Sequence, residues 1–247
     1  MSEDMSIETY LAQGGILSNP SNVPARYRAE LMRQMATFVD SELAGAAGFA
    51  DIINQGPGIK ERIAAAKIVL EKTDSADKVL KIMAGFGVDT ARYANHHPWT
   101  ARLPRDADIG ATRSEHDMRL AVFNYPLNGW NDAVVMNLLM GQAVVVQLKE
   151  LSQVSYQPLA EALREVLPRE QRHMELAFEG LESIGATEDI KASVTYWMPR
   201  VAASFGSDQS ERFERLKALG LRKTDNESLR QSWRTEVTAM LAPLGLN

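Results

Sequence analysis

Four stretches of this chain, each about 25 residues long, repeat apolar side chains at steps of three and four. In three of them a carboxylate takes an apolar place. The first stripe reads Met35, Phe38, Glu42, Ala46, Phe49, Ile53, and the second Ala64, Ile68, Glu71, Ser75, Val79, Ile82, Phe86. The fourth reads Leu159, Leu163, Val166, Glu170, His173, Ala177, Leu181, Ile184. Residues three and four apart share one helix face, so these carboxylates point the way the leucines point. A buried carboxylate is costly unless it is paired, hydrogen-bonded or bound to metal. Carboxylates on three long helices therefore imply one shared polar centre. The remaining stripe, Val134, Leu138, Gly141, Val145, Leu148, carries none; Gly141 lies at its middle with Gln142 beside it.

The breaks between the stripes set the organisation. Residues 1–23 contain Gly14-Gly15 and Asn19-Pro20 and read as an N-terminal arm or irregular lead-in. A long helix is expected from about Ala25 to Ile53, ended by Gln55-Gly56-Pro57-Gly58, and a second from about Ile59 to Gly85. Residues 88–125, with His96-His97-Pro98 and Leu103-Pro104, are the least regular part. A third helix is expected after Phe123-Asn124-Tyr125-Pro126, running to about Val154. A fourth spans about Pro158 to Ile184, with Pro158 suited to its first turn and Pro168 expected to kink it or open a bulge before Glu170. Residues 187–247 read as two or three shorter helices divided by Gly206 and Gly220. No segment alternates as a strand does. The expected fold is thus all-α: an antiparallel four-helix bundle over about 24–185, with the C-terminal helices packed on its outside, in one domain over 24–247.

Composition narrows the function. Of the 247 residues 45% are apolar and 24% charged, ordinary for a soluble globular protein. The net charge is −5 and the basic residues are scattered, which disfavours nucleic acid as a partner. There is no cysteine, so disulfides, thiolate metal sites and cysteine nucleophiles are excluded. The acidic start Met1-Ser2-Glu3-Asp4 lacks the basic and apolar regions of a signal peptide, and no apolar stretch reaches the ~18 residues that span a bilayer. A cytoplasmic enzyme or enzyme subunit, without membrane contact, is the expectation.

A ferritin-like di-metal bundle takes one glutamate from each of two helices and a Glu-x-x-His from each of the other two. This chain supplies Glu42, Glu71 and Glu170-x-x-His173. It departs from that set at Asp74, where the second helix would carry histidine, and at Gly141. Other readings of the same residues stay open. Glu42 and Glu71 could be held by hydrogen bonds or salt bridges, with Lys67 or an arginine as partner. Asp74 could be a polar core partner. His96 and His97 fit a surface loop, and His116 fits a solvated helix face.

The order of these pieces, and the phrases around them, resemble the phenylacetic acid catabolic family of ferritin-like di-iron oxygenases, in particular the catalytic subunit of phenylacetyl-CoA epoxidase. The phrases are Tyr27-Arg28-Ala29-x-Leu31-x-Arg33-Gln34 before Ser41-Glu42, and Ala66-Lys67 before Glu71. They continue with Phe123-Asn124-Tyr125-Pro126 followed by Trp130 and Asp132. Ser155-Tyr156-x-Pro158 stands before Glu170-x-x-His173, Phe178-Glu179 follows, and Trp197-x-Pro199 and Phe205-Gly206 close the series. The likeness runs from about residue 24 onward, with 88–122 longer and different.

The resemblance implies a di-iron centre held by Glu42, Glu71, Asp74, Glu170 and His173, with Gly141 at the position of a sixth ligand, an aspartate. It implies dioxygen activation and delivery of one oxygen atom to the ring of an aromatic acyl-CoA. A separate reductase and a related helical subunit would be partners in a homo- or hetero-oligomer. Arg26, Arg28, Lys60 and Lys67 are candidates for the phosphates of CoA. The departures at Asp74 and Gly141 support an alternative: a non-catalytic structural or regulatory subunit that has lost metal binding.

Overall fold

A computed structural model describes residues 5–96, 98–113, 117–207 and 211–246. Its elements in chain order are α1 (Ile7–Ala12), α2 (Ala25–Ile52), α3 (Ile59–Ala84), α4 (Thr90–His96), α5 (Gly129–Leu151), α6 (Gln157–Ile184), α7 (Glu188–Ala203), α8 (Glu211–Ala218) and α9 (Asn226–Leu241). Among the described residues there is no strand, and a lone bridge joins Leu17 to Tyr156. The fold is the expected all-α helical bundle, and the boundaries of the long helices fall within a few residues of those read from the sequence.

Chemistry at the helix ends explains those boundaries. Pro24 precedes α2, a 3-10 turn over Ile53–Gln55 ends it, and extended Gly58 opens α3. Gly185, at φ +81°, closes α6 in a conformation that glycine adopts without strain. Of the kink or bulge expected at Pro168, the bulge does not form. α6 runs uninterrupted through Pro168, without a bulge; the proline ring is exposed to solvent, where the lost backbone donor is least costly.

The core is two hairpins. α2 packs along α3, α5 along α6, and the pairs meet through α3 with α6 and α2 with α5. α7 and α9 then cover the other side of α5. α5 is consequently buried on nearly every face, and Val135, Leu138, Leu139 and Ala143 are completely enclosed. It is the one helix among the described residues long and apolar enough to cross a membrane, yet 78% of that apolar window lies inside the protein.

Residues 5–23 carry a short helix and a backbone tie to the bundle. Within them α1 forms, and the Leu17 N–H donates to Ser155 O at 3.0 Å while Gln157 N–H donates to Leu17 O at 2.8 Å, tying this segment to the α5–α6 turn. The irregular stretch between α3 and α5 is pinned by buried polar groups. Asp40 of α2 accepts the Met118 N–H at 2.7 Å and the Tyr93 hydroxyl, and Ser41 Oγ accepts the Leu120 N–H at 3.0 Å. Arg119 donates to Asp117 at 2.7 Å and to the carbonyls of Pro98, Trp99 and Ala101.

Asp132, at the start of α5, gathers several of the phrases singled out in the sequence. It takes both Arg105 guanidinium nitrogens at 2.9 and 2.7 Å, the Trp197 indole N–H at 2.9 Å, Ser193 Oγ at 2.5 Å and the Asn128 N–H at 2.9 Å. Arg105 stacks over Tyr196, 3.8 Å from the ring centroid. This network fixes α7 against α5 and does not touch the polar centre.

Candidate functional site

α2, α3 and α6 bring four of the five expected site residues together. Glu42, Glu170 and His173 are 3%, 1% and 1% exposed. Glu71 lies at the edge, its side chain 22% exposed. His173 Nε2 is 2.6 Å from Glu71 Oε2, and His173 Nδ1 is 3.2 Å from Glu170 Oε1. A neutral imidazole can donate to only one of these carboxylates. The three-residue spacing of Glu170 and His173 on one face of α6 makes the second contact.

The middle of the centre is held by a residue that the apolar stripes do not single out. Lys72, 5% exposed, donates from Nζ to Glu170 Oε2 at 2.8 Å and to Glu42 Oε1 at 3.3 Å. Its stem crosses α2 at Gly45, where a β-carbon would lie 3.6 Å from Lys72 Cδ and 3.3 Å from Phe123 Cε1. The buried stripe of α3 is Ala65, Ile68, Lys72, Ser75, Ala76, Val79, Met83, so the inward face is turned by one residue from the stripe that runs through Glu71. Lys72 stands four residues after Ile68 and four before Ala76. That spacing was the available signal; a lysine between apolar neighbours is ordinarily assigned to solvent.

The electrostatics follow from burial and from this cation. Burial pushes Glu42 up to about 8, with Glu170 adding to the rise and Lys72 opposing it. For Glu170 burial acts in the same direction, but Lys72 and His173 outweigh it and hold the carboxyl down at about 2. Burial pulls the Lys72 ammonium down, yet Glu170 and Glu42 more than reverse this and raise it. These shifts favour a charged Lys72–Glu170 pair, with the Glu42 carboxyl beside it held above its usual range. Glu42 Oε2 is buried without a hydrogen-bond partner.

Of the other expected positions, Gly141 borders a small cavity that touches Lys72 and Glu170, whereas Asp74 lies outside the centre. Asp74 is exposed on α3 and is bound by Arg169, which holds its carboxyl below the usual range. The reason is angular: Asp74 follows Lys72 by two residues, about 200° around the helix from the buried face. Gly141 faces α6, and a β-carbon there would come 3.1 Å from Met174 Cβ. Gln142 turns away from the centre and donates to Glu236 of α9. Lys67 pairs with Glu71 at 3.6 Å on the exposed side, and Arg28 donates to Phe86 O. His97 and His116 lie outside the described residues.

The donor set can be tested against the di-metal centre that the resemblance implies. Such a centre needs carboxylate and imidazole donors on both sides of two ions. Here one oxygen each of Glu42 and Glu170 is taken by an ammonium, Asp74 lies outside, and Gly141 has no donor. Among the described residues no three histidine, aspartate or glutamate side chains are disposed to hold one ion. The residues present do not fit two irons.

Two cavities adjoin the centre. A small one of about 30 Å³ touches Lys72 and Glu170 and is lined by Gly45, Phe49, Phe123, Met136 and Met140. It has room for roughly one or two waters. A larger one, about 290 Å³, reaches Glu42 at its buried end; Phe38, Phe123, Met140, Leu148, Phe205 and Leu216 form its apolar wall. Arg33, Arg113, Arg212 and Arg222 line it as well, Arg33 and Arg113 at its exposed rim. Arg222 Nη1, Ser204 Oγ and Gln34 Oε1 are buried without a hydrogen-bond partner, and all three residues line this cavity. Burial pulls the Arg222 guanidinium down, with Glu150 opposing and Arg212 adding to the fall. This arginine group, rather than the Arg26, Arg28, Lys60 and Lys67 set, is the basic cluster with a cavity behind it.

Comparison with known proteins places these features. The chain is 24% identical over 255 residues to one of the subunits of the 1,2-phenylacetyl-CoA epoxidase of Escherichia coli (strain K12), an alignment covering 100% of this chain and 77% of that protein. Residues 5–247 match the family described as phenylacetic acid catabolic protein. A match of that extent makes this chain a member of the phenylacetic acid catabolic protein family.

Proposed function

We propose that this chain is an acyl-CoA-binding component of an epoxidase system of the phenylacetyl-CoA type, one that holds the ligand and assembles with a related helical subunit. One observation carries the reading: the cavity of about 290 Å³, apolar along its wall, lined by four arginines, and reaching Glu42. An aromatic acyl-CoA is an amphiphile with an apolar acyl end and phosphates at the other. The apolar wall suits the acyl and pantetheine portions, and guanidinium groups are the usual partners of phosphate. The cavity stands near the lower end of the range for ligand sites, roughly 300 Å³, so the nucleotide would lie along the Arg33–Arg113 rim. The unpartnered Arg222 Nη1 and Ser204 Oγ supply buried donors that a ligand would satisfy.

Isothermal titration with phenylacetyl-CoA, CoA and phenylacetate tests this. Phenylacetyl-CoA is expected to bind most tightly, and Arg113→Ala and Arg222→Ala each to weaken it by roughly tenfold or more, as loss of a charge-assisted contact does. Equal affinity for all three compounds, or no effect of either substitution, would sink the reading.

A second reading has one observation in its favour. His173 lies 2.6 Å from Glu71 and 3.2 Å from Glu170, residue types that a di-iron oxygenase component fed by a reductase would use. Lys72 in the middle of the centre weighs against it. Two irons per chain after anaerobic loading, with reductase-dependent dioxygen consumption, would decide for that second reading.

A further inference from the structure

We propose that Lys72 is the resident cation of the polar centre: its ammonium takes the place between Glu42 and Glu170 that a metal ion would otherwise have, and the centre is closed to divalent metal while Lys72 stands there. This rests on the interior of α2, α3 and α6, and not on the arginine-lined cavity, so it stands or falls apart from the acyl-CoA reading.

Distance and burial carry the inference. Lys72 Nζ lies 2.8 Å from Glu170 Oε2 and 3.3 Å from Glu42 Oε1, and the side chains of the three residues are 7%, 1% and 3% exposed. A metal ion shared by the same oxygens would sit about 2 Å from each, within a few ångströms of the ammonium, where two like charges in a low-dielectric interior repel strongly. The two cations therefore exclude each other. Lysine has no easy route out of the way. Its stem is bounded by Gly45 and, near that glycine, by Phe123 Cε1, and the small cavity beside it holds roughly one or two waters rather than a retracted side chain.

The surrounding groups are already matched to this arrangement. Glu71 is shared between His173 at 2.6 Å and Lys67 at 3.6 Å, and Asp74 is bound by Arg169. Gly45 matters in the same way. A β-carbon there would pack in ordinary contact with the Lys72 stem at 3.6 Å and press on Phe123 at 3.3 Å, so side chains longer than alanine would crowd the lysine. Replacement of the ammonium by an uncharged group would leave the Glu42 and Glu170 carboxyls without their cation, with His173 and Glu71 beside Glu170, side chains of the types that divalent cations take.

The unmodified chain and its Lys72→Met variant are titrated with Mn(II), followed by electron paramagnetic resonance of the free ion and by thermal unfolding. Methionine keeps the stem and removes the charge. Lys72→Met is expected to bind about one Mn(II) per chain, at least roughly tenfold more tightly than the unmodified chain, with a rise in Tm on adding metal. Adding His173→Ala to that variant is expected to abolish the gain. The unmodified chain and Lys72→Arg are expected to leave the Mn(II) signal that of the free ion and Tm unmoved. Binding of Mn(II) by the unmodified chain as tight as by Lys72→Met, with loss on His173→Ala, would overturn the proposal. So would a folded Lys72→Met that binds no metal. Should Lys72→Met not fold, the unmodified chain and Lys72→Arg still decide: stoichiometric binding by either, lost on His173→Ala, overturns the proposal, and its absence from both supports it.

Discussion

Gly141 of α5 and Met174 of α6 approach so closely that a β-carbon on the glycine would stand 3.1 Å from Met174 Cβ. The position that the resemblance assigns to a metal-ligating aspartate is here a close contact between two core helices. Gly141→Asp is therefore expected to destabilise the protein by about 1–3 kcal/mol through overpacking, before the burial of a new carboxylate is counted. Urea unfolding would show this as a lower midpoint at unchanged m. Combining it with Asp74→His is expected to bring no iron into the protein while Lys72 remains; a rise in iron content in that double variant would count against the packing argument.

Glu170 holds both Lys72 and His173, so its loss leaves two buried groups short of a partner. Glu170→Leu should cost about 3–5 kcal/mol, the cost of breaking a buried ion pair from one side. Glu170→Leu with Lys72→Met should cost less than the sum of the two single variants, because an apolar pair then replaces the charged one. Strict additivity in a double-mutant cycle would show that the 2.8 Å contact does not couple the two residues.

Asp132 sets an acid limit on the α5–α7 junction. Burial would raise its carboxyl, but Arg105, Ser193, the Asn128 N–H and Trp197 outweigh burial and hold it below the usual range. A carboxylate depressed in the folded state contributes stability that is complete above the unfolded value, about 3.9 for aspartate, and is lost as pH falls through the lower folded value. Asp132→Asn should thus be less stable than the unmodified chain at pH 7, with the gap narrowing below about pH 4. A gap constant from pH 7 to pH 3 would contradict this.

Asp40 ties α4 to α2 through the Tyr93 hydroxyl, and the segment between α4 and α5 through the Met118 N–H. Asp40→Asn weakens the acceptor without changing its shape. Limited proteolysis should then cut within residues 98–113 or 117–124 several-fold faster, since cleavage tracks local opening, while the long helices keep their protection. Unchanged cleavage would place the restraint on Arg119 instead.

The long helices were legible because each repeats its apolar residues for many turns and has proline or glycine close to at least one end. Glu42, Glu71, Glu170 and His173 were legible as a convergent set, since each broke an apolar stripe. Lys72 was not, for a specific reason: at about 100° per residue, Glu71 and Lys72 can both be drawn onto an inward face, and only the packing of α3 against α2 and α6 chooses between them. Asp74 was misplaced by the same rotation. Gly141 shows the other kind of miss. A glycine in a stripe signals either a missing side chain or a close approach of two backbones, and the difference lies on the neighbouring helix. The arginine cavity had no local signature, since Arg33, Arg113, Arg212 and Arg222 are brought together from segments far apart in the chain.

The enclosure of α5 has a consequence in time. Its partners α7 and α9 are made after it, and the last of them ends at Leu241. At a synthesis rate of about 5–20 residues per second, the most apolar helix of the chain waits roughly five to twenty seconds for its outer cover. During that interval a nascent chain presents one greasy face that its own α6 cannot hide. Expression yield of this protein should depend on how fast the ribosome delivers the ninety or so residues from the end of α5 to the end of α9, and on what shields α5 until they arrive.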